Sequence, residues 1–81
     1  MTVARVWEAR CVDGRTDEAV AWVRGVVVPD ALEAGASTAE VFRGEDRVVL
    51  ITRWPAVPAW TEPRPVDAVE RAQAWDLEAL A

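Results

Sequence analysis

The run Arg47-Val48-Val49-Leu50-Ile51-Thr52-Arg53-Trp54 constrains the fold more than any other segment of the chain. Short, apolar and rich in β-branched residues, it reads as a strand. Successive side chains of a strand point to opposite faces, so Val49 and Ile51 face one way while Val48, Leu50 and Trp54 face the other. A sheet built around such a strand is apolar on both sides and needs two covers.

The rest of the chain supplies one of them. Val3-Ala4-Arg5-Val6-Trp7-Glu8-Ala9-Arg10-Cys11-Val12 is a second strand-like segment, closed by the turn signal Asp13-Gly14. Thr16 is a plausible N-cap, with Asp17 and Glu18 at the positive helix end. Ala19, Trp22, Val23, Val26 and Val27 then recur on an apolar stripe. The pattern predicts an amphipathic helix over most of 16–34, kinked or interrupted after Val28 by Pro29 and stopped at Gly35. Thr38 to Arg43, the short loop Gly44-Glu45-Asp46 and the apolar run form a hairpin. Pro55, Pro58, Pro63 and Pro65 exclude regular helix or central strand over 55–65 and predict a stiff loop carrying Trp60. Val66 to Ala72 suits a short helix. Over 73–80, helix propensity competes with the alternation of Trp75, Leu77 and Ala79, and the alternation favours a fourth strand.

The order β-α-β-β-α-β is the ferredoxin-like arrangement, an α+β fold whose antiparallel sheet carries both helices on one face. With 81 residues the chain supports one domain, 1–81, whose own core is small. The second apolar face then falls to a second copy, and the expected assembly is a homodimer.

Val6-Trp7-Glu8-Ala9-Arg10, the helix ending at Gly35 and the strand finishing Ile51-Thr52-Arg53-Trp54 resemble the dimeric α/β-barrel superfamily, in particular its small antibiotic-biosynthesis-monooxygenase-like proteins. The likeness covers roughly residues 3–54 at the level of pattern. It implies two sheets paired face to face, and a pocket for an aromatic or polyketide-like metabolite that is oxidised or cyclised without metal or flavin. The chain departs from that pattern in its proline-rich 55–65 segment, and it has no histidine, asparagine or tyrosine.

Several chemistries are excluded by residue content. With no histidine, a single cysteine and scattered carboxylates, the sequence offers no metal site, and no cofactor is expected. A Ser-His-Asp or Cys-His centre lacks its base. The remaining acid–base candidates are the strand carboxylates Glu8 and Glu40, of which Glu8, on a central strand, is preferred; its structural alternative is an ion pair with a strand arginine such as Arg10 or Arg53. Arg53 and Trp54 are the candidate ligand contacts at the end of the apolar run. Five tryptophans are many for this length; Trp22 is assigned to core packing, while Trp60 either closes a cavity mouth or contacts the partner subunit.

A formal charge of −5 disfavours nucleic acid and anionic membranes as partners, and no apolar stretch reaches the length of a membrane span. The lone Cys11 excludes an internal disulfide, nothing at the start reads as a secretory signal, and the expected location is the cytoplasm. Two functions remain open: a metabolite-binding dimeric barrel, oxygenase or cyclase, and a non-catalytic structural or accessory interaction module. A cavity large enough for a ring system would separate them.

Overall fold

The computed structural model describes residues 1–80 and organises them around the strand β1 (Val3–Cys11). The other strands are β2 (Thr38–Arg43), β3 (Arg47–Trp54) and β4 (Val69–Glu78), in the sheet order β2-β3-β1-β4, antiparallel throughout. One helical run follows β1. It comprises α1 (Thr16–Trp22), a π-helical segment (Val23–Val27) and α2 (Val28–Glu33), all on one face of the sheet.

The run covers 16–33, as the sequence predicts, and Pro29 falls inside it without breaking it. In a regular helix its ring would meet the carbonyl of Gly25, and it has no N–H to donate. The widened turn just before it absorbs both problems, with the Val28 N–H reaching back five residues to the Val23 carbonyl. The same widening keeps the core stripe in line. Ala19, Val23, Val27 and Ala31 are completely buried at intervals of four residues, a spacing that drifts by about 40° per step on a regular helix. Thr16, read from the sequence as the N-cap, is instead the first helical residue: Arg15 stands at the cap, and the Thr16 hydroxyl donates to the Glu45 carbonyl at 2.9 Å. At the far end Ala36 N–H donates to Ala31 and Gly35 N–H to Leu32, the double bond of a Schellman motif. Gly35 supplies the positive φ of 117° that this motif requires.

Sequence expectation and structure part after β3. No helix forms at 66–72 among the described residues; β4 begins at Val69, so the order is β-α-β-β-β and the second helix of the ferredoxin-like pattern is absent. The reason is geometric. Strands β3 and β4 both run antiparallel to β1, so the segment joining them must return across the whole sheet. Fully extended, residues 55–68 reach over about 45 Å, ample for the roughly 26 Å of the eight residues of β3, and from Val69 onward the chain is taken up as ladder partner of β1 instead of coiling into a helix. The proline-rich segment therefore crosses as an extended strap, lying where a second helix would pack. Its end is fixed by the Val12 N–H bonding to the Ala68 carbonyl at 2.8 Å.

Between sheet and helix lie Trp7, Ala9, Val48, Leu50, Ala19, Val23, Val27 and the strap residue Ala68, all buried. Trp22 packs on Trp7 with ring centroids 6.0 Å apart, as its place on the stripe predicts. Burial pushes the Cys11 thiol up, and Cys11 sits in this core as a small apolar side chain. The two ends of the described chain meet at the sheet, where the Ala79 N–H donates to the Thr2 carbonyl at 2.8 Å.

Candidate functional site

The sheet has one covered face and one open face, and the antiparallel register arranges the open face in four rows. Leu77, Ala4, Arg53 and Thr38 form the first; Trp75, Val6, Ile51 and Glu40 the second; Gln73, Glu8, Val49 and Phe42 the third; Arg71, Arg10 and Arg47 the fourth. The middle rows are largely apolar. Phe42 is 49% exposed, Trp75 41% and Leu77 50%, while Val6, Val49 and Ile51 are half-buried between their neighbours.

Glu8 stands on this face beside the arginine row. Its Oε2 lies 3.4 Å from Arg47 Nη1, and Gln73 Nε2 donates to its Oε1 at 3.4 Å. The carboxylate thus has an arginine partner, as its structural alternative requires, although that partner is Arg47 rather than Arg10 or Arg53. Arg10 is held by Asp46 at 3.6 Å and Glu70 at 3.5 Å; Arg71 has no carboxylate within ion-pair distance among the described residues. Glu8, Arg10, Arg47, Arg71, Ala72 and Gln73 line a shallow concavity of about 400 Å³.

The sequence-predicted site residues do not form one cluster. Arg53 shares the open face with Glu8 but is paired with Ala4 and Thr38, four residues along β3 from the Val49 that faces Glu8, a separation of about 13 Å. Trp54 and Trp60 lie on the covered face. Trp54 is 3% exposed, its indole N–H donates to Thr52 Oγ1 at 2.8 Å, and its ring lies 5.5 Å from that of Trp60 at an interplanar angle of 31°. The Trp60 indole N–H bonds Asp30 Oδ2 at 2.8 Å, so this residue anchors the strap to α2 and fills space against Trp54.

Beneath the strap is a polar cluster that sequence reading passed over. The Arg5 guanidinium makes a bidentate pair with Asp76, at 2.7 and 3.0 Å, donates to the Trp60 carbonyl, and lies 3.7 Å from Glu62. The hydrogen bonds from Arg5 hold the Asp76 carboxyl below its ordinary value against the opposing effect of burial, and the same bonds raise Arg5. A signal was present in β1, because alternation sets Arg5 on the same face as the buried Val3, Trp7 and Ala9. A second cleft, about 470 Å³, lies between the helical run and the free side of β2, with Val20, Val28, Ala39 and Val41 as its walls and Arg24 and Arg43 at its rim.

Fold and site together define a small α+β domain with one open-faced four-stranded antiparallel sheet and a strapped covered face. No family model, curated protein or solved structure matches the chain. Among the described residues no helix is long and apolar enough to cross a membrane, and no group of acidic or thiol side chains converges on a metal-sized centre.

Proposed function

We propose that the chain works as a homodimeric, non-catalytic accessory module in which two copies meet through their open sheet faces. The observation that carries this reading is the asymmetry of the sheet: helix and strap cover one side, while Trp75, Val6, Ile51, Val49, Phe42 and Leu77 form a contiguous apolar band on the other. Two such sheets packed face to face would bury the band in the manner of a dimeric α/β barrel. Engagement of Glu8 with Arg47 and of Trp54 with Trp60 favours structural over catalytic roles for these residues. A single buried free thiol suits a cytoplasmic setting.

The test is a light-scattering mass at micromolar concentration for the wild type and for the double variant Ile51→Arg, Trp75→Arg. A dimeric wild type and a folded, monomeric variant are expected. A monomeric wild type would overturn the reading.

One observation favours a second reading, in which the dimer binds an aromatic or polyketide-like metabolite. The concavity beside Glu8 is rimmed by three arginines in a row, and Arg71 has no acidic partner among the described residues, which suits a phenolate or carboxylate oxygen on a planar ligand lying against Trp75. Glu8 would then be the base of a cofactor-free oxygenase or cyclase. Saturable quenching of tryptophan fluorescence by polycyclic phenols, weakened about tenfold by Arg71→Ala, is the result this reading expects. Absence of quenching by a broad panel leaves the accessory module alone.

A further inference from the structure

The cleft beside β2 lies at the edge of the helix-covered face, away from the open face used above. Among the described residues strand β2 is at the edge of the sheet and pairs only with β3, so the ladder groups on its outer side have no strand partner there. Immediately above that free side stands the helical run, and the space between them is walled by Val20, Val28, Ala39 and Val41. Its rim carries two guanidinium groups in a chain whose net charge is −5. Arg24 makes no ion pair or side-chain hydrogen bond among the described residues. Among the same residues Arg43 pairs only with Asp17, whose side chain is 90% exposed, an arrangement that water screens and a better-placed carboxylate can displace.

We propose that β2 and this cleft form a strand-addition site for an extended amphipathic peptide segment of a partner protein, one that brings a carboxylate to Arg43 and Arg24. An added strand lies about 4.8 Å beyond β2 and sends every second side chain towards the helix, into the cleft. The residues of β2 on that side are Ala39, Val41 and Arg43; those on the other are Thr38, Glu40 and Phe42. Cross-strand complementarity therefore specifies the partner. Apolar side chains belong opposite Ala39 and Val41, an acidic one opposite Arg43 within reach of Arg24, and a basic one opposite Glu40. An amphipathic small anion would use the apolar walls and the arginines but would leave the free ladder groups of β2 unused. The ladder is what favours a peptide.

The experiment uses a fluorescein-labelled hexapeptide reading glutamate, threonine, valine, lysine, valine, threonine, designed to run antiparallel to β2, and follows its anisotropy as the protein is added. The expected result is saturable binding that falls about tenfold with Arg24→Glu, an exposed substitution that leaves the circular dichroism spectrum and the light-scattering mass unchanged. Two further peptides, N-methylated at one or the other set of alternate amides, keep every side chain. One should lose binding and the other retain it, because only one set faces β2. No binding of the parent peptide overturns the proposal. So does equal binding of both methylated forms, and displacement of the label by decanoate in that case would assign the cleft to small amphipathic anions.

Discussion

Arg5 and Asp76 show how a pair of residues from opposite ends of the chain can hold a segment that belongs to neither. The guanidinium joins β1 to β4 through the carboxylate and holds the strap through the Trp60 carbonyl. Replacing Asp76 with Asn should cost about 1–2 kcal/mol at neutral pH, the lower part of the charge-assisted range because water still reaches the carboxylate. The sign of its pH dependence follows from the lowered carboxyl. Its contribution is complete above the unfolded-state value near 4 and is lost as pH falls through the folded-state value below it. Urea denaturation should therefore show wild type and Asp76→Asn separated at pH 7 and converging in acid; a gap of constant size would remove the carboxylate from the account. Alternation along β1 carries the signal for Arg5, which sequence reading passed over. Nothing local pointed to Asp76, because a pairing across that separation depends on the register of two strands that the sequence does not align.

At the level of elements, local patterning succeeded where one residue type dominates the backbone and failed where the neighbouring elements decide. The alternation at 73–80 identified a strand, and the Gly35 stop, the hairpin and the proline-rich loop were all legible. The helix expected at 66–72 was not formed, because the second edge of β1 takes the chain as ladder partner from Val69 onward: Ala72 faces Ala9 and Arg71 faces Arg10. The π-helical segment had a visible cause in Pro29, but whether the chain breaks or widens there is set by the need to keep Ala19, Val23, Val27 and Ala31 on one line. Two glycines of this region separate freedom from necessity. A Cβ at Gly25 would meet nothing within 4 Å, so Gly25→Ala should stabilise the domain by about 0.5–1 kcal/mol through lost unfolded-state entropy. Gly35→Ala, which must place a side chain at a positive φ, should destabilise it by about 1 kcal/mol or more. Equal effects of the two substitutions in thermal unfolding would contradict the capping geometry.

For the whole molecule, the two-sided apolar run of β3 has the widest reach: one side meets the helix, and the other lies bare in the single chain. If the open face joins two copies, thermal stability should rise with protein concentration, and the Ile51→Arg, Trp75→Arg variant should lose that dependence while keeping the covered core. The candidate site was less legible than the fold. Glu8 was found on its strand, yet its arginine partner was not; Trp54 was read as a ligand contact and Trp60 as a cavity lid or a partner contact, and in the single chain the two rings pack against each other. Tryptophan serves equally well as filler and as platform, and only the strap's path across the covered face distinguishes the two.

The meeting of Ala79 with Thr2 has a further consequence. Because β1 and β4 are ladder neighbours and Thr2 meets Ala79 at their outer ends, the described backbone comes back on itself, and a cut in the strap interrupts no ladder bond of the sheet. Joining the ends with a short linker and reopening the chain in the strap, between Val57 and Pro58, would turn β4 and β1 into an ordinary hairpin and leave every ladder bond of the sheet in place.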